Sequence, residues 1–422
     1  MLGRVVQGGA PTLASYKRLD GYHALALALE RNPDAIVAEI ERSGLRGRGG
    51  AGFPAGRKWR AVFEQPSPEK YIVANGDEGD PGAYIDRFLM EEDPHAIIEA
   101  MIIAGRAVGA GRGIIYVRAE YPAACRRLEA AIAEARRDGI LGRRVLGGAF
   151  AFDLEVVVGG GSYVCGEETA LLNAIEGVRP EVRTRPPYPA SHGLFGRPTL
   201  VHNIETLANI PWILEHGGDA YASIGLDSGL GSKVESRGSK VGSRGTKVVS
   251  LNSLFRRPGL YEVELGTSVR HIVEDLGGGV GTGTLTGVLI GGPLAGLLPP
   301  ALLDTPLAFE ELHAVGASVG HGGVVAVDER TTIPELVRHV AAFAAAESCG
   351  KCTPCRLGTR RIEQLVDTAL TSGRPEPGAR DAWRALIPTL ADTSLCGHGS
   401  GLAEFAASIE RHFGTELDRC LG

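Results

Sequence analysis

No stretch of this sequence is apolar for long enough to cross a bilayer. The longest such run, around Ala96 to Gly105, falls well short of the roughly 20 residues that a spanning helix needs. The N-terminus, Met1-Leu-Gly-Arg, lacks the apolar core of a secretory signal, so the chain is expected in the cytoplasm. Basic residues are not in excess either. With 44 Lys and Arg against 50 Asp and Glu, the net charge is -6, and the cationic footprint of a nucleic-acid binder is missing. Any negative ligand must be met by local basic groups. Of seven cysteines, Cys125, Cys165 and Cys420 are scattered, which suits reduced thiols and not a disulfide framework.

What is present is ordinary globular composition, 44% hydrophobic and 22% charged over 422 residues, enough for two to four domains. Asn32-Pro33 predicts a helix start and Gly44 its end. Downstream, helices are expected from about His95 to Val108 and from Ala123 to Arg137, with strands at Lys70 to Ala74, Ile114 to Arg118 and Leu154 to Val158. This alternation implies an α/β domain over residues 1–225. Tandem seven-residue copies begin at Gly231, Gly238 and Gly245, and 226–245 reads as a repeat-bearing exposed loop with no chemistry of its own. A small strand-rich module is expected over 246–330 and a helical region over 331–422.

Within that helical region stands Cys349-Gly-Lys-Cys352-Thr-Pro-Cys355, with a fourth cysteine at Cys396. Thiolates two residues apart fold around one corner of a four-iron cubane, and the remaining iron takes a distant ligand. A structural zinc site is the competing reading, although zinc knuckles usually pair two Cys-x-x-Cys units or mix in histidines. His321 and His398 could flank a cluster or serve as loop hydrogen-bonders.

Two further segments carry ligand chemistry. From Gly44 to Trp59, glycines that include Gly47, Gly49 and Gly50 alternate with Arg46, Arg48, Arg57 and Lys58, a pattern that brings bare amides and cations to a phosphate or makes a tight structural turn. Asn75-Gly-Asp77-Glu78-Gly-Asp80 follows a strand, where carboxylates could hold ribose hydroxyls or a flavin edge, a metal, or only water. Tyr163-Val-Cys165-Gly166-Glu167-Glu168 reads as a strand, a glycine turn and two acids opening a helix; such acids are often dipole partners alone, but one that accepts a ribose hydroxyl favours NAD over NADP.

Together with Arg185-Pro-Pro-Tyr188-Pro and Leu194 to Thr206, these runs resemble the NADH-binding flavoprotein subunit of respiratory complex I and its relatives in NAD-reducing hydrogenases and NAD-dependent molybdenum or tungsten formate dehydrogenases. The resemblance covers nearly the whole chain. It implies an α/β, Rossmann-like FMN domain, a ubiquitin-like β-grasp domain and a C-terminal helical bundle with a 4Fe-4S cluster on Cys349, Cys352, Cys355 and Cys396. It further implies FMN contacts from Gly47, Lys58, Asn75, Asp77, Gly166, Glu167, Asn203 and Thr206, and cofactor contacts from Arg48, Gly49, Glu78 and His202. Gly50, Phe53, Asp80, Tyr163, Glu168, Arg185 and Tyr188 would form the NAD(H) pocket.

The chain departs from the complex I pattern at four places: Asp80 for Glu, Arg185 for Lys, Tyr188 for Phe and His202 for Asn. Each keeps charge or shape. The texture from Asn252 to Val263 looks most similar to the formate dehydrogenase branch, which implies a diaphorase subunit working beside a small thioredoxin-like 2Fe-2S subunit and a large iron-sulfur catalytic subunit. Two rival readings fit the same residues: a non-catalytic electron-relay scaffold, and a zinc-stabilised nucleotide-binding module.

Overall fold

The computed structural model describes residues 2–6, 9–226 and 242–422. The described residues form two compact units, one of residues 2–79, 84–226 and 242–248 and one of residues 80–83 and 249–422. Most of the repeat-bearing segment, 227–241, lies outside the described residues. The residues on either side of it, Gly225–Leu226 and Ser243–Arg244, pair antiparallel.

In the first unit the helix Pro33–Ser43 starts where Asn32 accepts a hydrogen bond from Asp34 N, with proline in the first turn, and stops at Gly44, whose φ of 63° suits glycine. Four strands follow: β1 (Tyr71–Gly76), β2 (Arg112–Val117), β3 (Asp153–Val158) and β4 (Thr199–Asn203). All three pairings are parallel and the order is β3-β2-β1-β4. The run Tyr71–Ala74 is buried throughout, as a strand covered on both faces must be. The helix Pro94–Val108 is mostly apolar and almost wholly buried, His95 and Glu99 included, so it serves as core rather than as a surface layer. Strand order reverses between β1 and β4, and that reversal leaves a crevice at their carboxyl ends, where parallel sheets receive ligands.

One expected element is different. Tyr163–Gly166 is a single tight helical turn and not a strand, and the helix begins at Glu168. Glycines at 159, 160 and 161 precede it, too flexible a lead for a strand to propagate.

The second unit holds a five-stranded sheet: β5 (Thr246–Leu251, which begins in the first unit), β6 (Gly259–Glu264), β7 (Leu285–Ile290), β8 (Leu297–Leu298) and β9 (Gly323–Asp328). Its order is β8-β7-β9-β5-β6, with β9 parallel to β5 and antiparallel to β7. First and last strands side by side at the centre make this the β-grasp arrangement that the resemblance implied. Val249, Leu251, Val288, Ile290, Val324 and Ala326 form its core with Ile272 and Val273 of the crossing helical turn. Thr332 and Glu335 then cap each other reciprocally to open the helix Ile333–Ala346. The helices Thr353–Ser372, Ala379–Thr393, Gly397–His412 and Gly414–Leu421 complete a bundle. Among the described residues no helix is long and apolar enough to cross a membrane.

Candidate functional site

The glycine-rich loop turns back on itself before β1. Gly47 N donates to Phe53 O at 2.9 Å, Ala55 N to Leu45 O at 2.8 Å, and Arg46 Nε to Gly52 O at 2.7 Å. Gly50 has φ 129°, and no described heavy atom lies within 4 Å of where its Cβ would stand. A bare backbone edge is therefore open there, the cradle a phosphate or a ring face needs. Gly49 is tight instead, since a Cβ would come within 2.8 Å of Asn203 Cβ.

Asn203 ends β4 and caps the next helix by accepting from Thr206 N at 3.1 Å. Its Nδ2 donates to Asp86 at 2.5 Å, while Thr206 Oγ1 accepts from Arg48 N at 2.8 Å. The Arg48 guanidinium is wholly buried and donates to Tyr221 Oη and to the carbonyls of Arg46, Arg244 and Thr246. Arg48 thus holds the loop in shape. Asp86 was not singled out from the sequence. It also accepts from Glu205 N, and only a contact between residues more than a hundred positions apart reveals it.

At the end of β1, Asn75 Nδ2 donates to Gly166 O at 2.8 Å, its Oδ1 accepts from Asp77 N, and a Cβ on Gly166 would meet Asp77 O at 3.4 Å. Tyr163 lies over Gly79, whose Cβ would come within 2.6 Å of the ring. Glu78 is buried and accepts from Ile85 N, Asp86 N and Arg87 N, capping the helix Ile85–Glu92. Glu167 accepts from Thr169 N and Ala170 N and caps its own helix. Asp80 falls in the second unit, close against Gly292.

The charged centre of the first unit is Glu168. Lys58 Nζ lies 2.6 Å from its Oε2 and Arg185 Nη1 lies 3.3 Å from its Oε1, while Arg185 Nη2 stands 3.6 Å from Glu167. Three predicted site segments, distant in sequence, converge here. Phe53 and Tyr188 stay 44% and 58% exposed, unusual for such rings and suited to stacking against a planar ligand. His202, by contrast, is buried. Trp59 Nε1 donates to its Nε2 at 2.9 Å, and burial, helped by the Lys58 charge, pushes its pKa down to about 3. It is a neutral acceptor at any ordinary pH.

In the second unit, Cys352 and Cys396 occupy the positions immediately before the helices Thr353–Ser372 and Gly397–His412. Burial pushes the Cys355 thiol up to about 12, and Cys352, Cys396 and Cys349 all add to that push, which puts the four sulfurs in one neighbourhood. Ser348 Oγ stands 3.4 Å from Cys355 Sγ. Four thiol donors in this region, two of them directly before helix starts, are a donor set that fits a four-iron cluster. His398 is buried with Nε2 at 2.7 Å from Ala344 O, which ties it to the helix Ile333–Ala346.

Residues 40–212 match the family described as the Nuo51 FMN-binding domain, and residues 335–420 match the NADH-ubiquinone oxidoreductase-F iron-sulfur binding region. The chain belongs to the complex I flavoprotein family. Members of this family are oxidoreductases with FMN and 4Fe-4S cofactors, and NADH binding is typical of them. The chain is 41% identical, over 96% of its length and 80% of the other's, to NADP-reducing hydrogenase subunit HndC of Solidesulfovibrio fructosivorans. It is 40% identical to an NADH-quinone oxidoreductase subunit of Rhizobium meliloti, over 96% of its own length and 93% of the relative's. A solved NAD+-reducing [NiFe]-hydrogenase in the H2-reduced state aligns with TM-score 0.82 and 34% identity over 96% of this chain, which spans only 64% of that hydrogenase chain. The family places the cluster, not zinc, on the cysteine region.

Proposed function

We propose that this chain exchanges hydride between NAD(H) and FMN and single electrons with the 4Fe-4S cluster, as the cytoplasmic diaphorase subunit of an NAD-dependent formate dehydrogenase complex. The observation that carries the diaphorase reading is the meeting of Lys58, Glu168 and Arg185, with open Gly50 and exposed Phe53 in the same unit. Bound FMN supplies the change from two-electron to one-electron chemistry, since hydride carries two electrons and a cluster takes one.

The residues bind and orient. Gly47 and Gly49 would give backbone and Lys58 charge to FMN, while Asn75, Asp77, Gly166, Asn203 and Thr206 would hold it from the ends of β1 and β4 and the turn before the helix at Glu168. Arg48, Glu78, Glu167 and His202 fix that shell through the hydrogen bonds above. Gly50, Phe53, Tyr163, Arg185 and Tyr188 would receive the nicotinamide nucleotide, with Glu168 accepting a ribose hydroxyl. An acid at that place repels a 2'-phosphate, which favours NAD over NADP.

The formate partner is supported by the texture from Asn252 to Val263, and it brings with it a small thioredoxin-like 2Fe-2S subunit and a large iron-sulfur catalytic subunit. The identities of 41% and 40% to hydrogenase and quinone-oxidoreductase subunits favour a second reading, in which the partner is a hydrogenase or complex I module. The purified native complex distinguishes them: formate-driven NAD reduction is expected. NADH-to-dye activity without formate turnover would leave the diaphorase and remove the formate partner.

A further inference from the structure

Ser394 lies two residues before Cys396, and its hydroxyl oxygen is buried with no hydrogen-bond partner among the described residues. The space beside it is kept by a glycine. A Cβ built on Gly399 would stand 2.2 Å from Ser394 Oγ and 3.1 Å from Cys355 Cβ, so only a glycine leaves room for the hydroxyl here, next to the most buried of the four cysteines. Cys355 Sγ already meets Ser348 Oγ at 3.4 Å. A buried hydroxyl without an acceptor is destabilising, and protein groups that leave one in place generally do so for a bound partner. The acceptors that a cluster on these cysteines would bring near the hydroxyl are sulfurs carrying negative charge.

We propose that Ser394 is a positioning residue whose hydroxyl donates to a sulfur of the 4Fe-4S cluster on its Cys355 and Cys396 side, and that it raises the cluster's reduction potential. Ser348, 3.4 Å from Cys355 Sγ, does the same for the Cys355 thiolate. Each donor stabilises the more negative, reduced cluster over the oxidised one, so each makes the cluster an easier electron acceptor. The inference rests on these cysteines holding a 4Fe-4S cluster, which iron and sulfide analysis of the same samples checks separately.

The test is a redox titration of the holoprotein followed by EPR, with wild type, Ser394→Ala, Ser394→Thr and Ser348→Ala compared at equal iron and flavin content. Ser394→Ala is expected to lower the equilibrium constant for cluster reduction on the order of tenfold, which is about 59 mV for a one-electron couple. Ser394→Thr, which keeps the hydroxyl, should stay near wild type. Proton ENDOR after exchange into D2O should show one exchangeable coupling fewer in Ser394→Ala. An unshifted potential and an unchanged ENDOR spectrum in a fully loaded Ser394→Ala protein would overturn the proposal. If that variant fails to hold its cluster, the ENDOR spectrum of Ser348→Ala decides: an exchangeable proton coupling that persists there supports the Ser394 donor, and its absence contradicts it.

Discussion

His202 shows how one buried side chain fixes a pH dependence. An imidazole titrates near 6.5 in an unfolded chain, whereas in this fold burial holds it at about 3. The folded state therefore binds fewer protons in that window. Stability that is fully present above about pH 6.5 is lost as pH falls toward 3, at about 1.4 kcal/mol per pH unit from this group. His202→Asn cannot titrate, so denaturant unfolding from pH 7 to 4 should slope less steeply than in wild type by about that amount; identical slopes would rule the account out. Glu168 makes a second prediction. Glu168→Gln keeps the shape but removes the charge that Lys58 and Arg185 share, and the preference for NADH over NADPH should narrow by about 1–3 kcal/mol, read as the ratio of kcat/KM values.

At the scale of elements, the start of β5 is pinned to the helix Ile204–Ala208 by an ion pair. Lys247 Nζ meets Glu205, both side chains are fully buried, and Val248 N donates to the same carboxylate at 2.8 Å. Glu205→Gln leaves an ammonium buried without its counter-charge, so destabilisation of about 3–5 kcal/mol is expected by chemical denaturation. The tight approach of the glycine loop to β4 gives a milder test. Gly49→Ala should displace Asn203, cost about 1–3 kcal/mol and lower the FMN bound per protein, measured by absorbance near 450 nm.

Much of this element layer was readable in advance. Asn32-Pro33 and Gly44 marked their helix because capping is local chemistry, and the alternation of helices and strands marked the parallel sheet. The candidate residues Lys58, Glu168 and Arg185 were legible through motif, but their ion cluster was not, because sequence spacing says nothing of which loops meet. Asp86 and the Lys247–Glu205 pair were missed for the same reason: a carboxylate in Tyr84-Ile-Asp86-Arg and a lysine inside a repeat look solvent-facing until the fold buries them. Tyr163 misled in the other direction, since its β-forming side chains sit behind three glycines.

At the scale of the whole molecule, the FMN-binding match falls mostly on the unit with the parallel sheet and the iron-sulfur match on the helical region of the other. We propose that electrons delivered as hydride to the flavin reach the iron of the cluster. The most direct measurement adds NADH anaerobically to the purified holoprotein and records flavin absorbance and low-temperature EPR in the same samples. Bleaching near 450 nm together with the signal of a reduced 4Fe-4S cluster is the predicted result. A protein that carries zinc in place of iron, or whose flavin and cluster both stay oxidised under NADH, would contradict it.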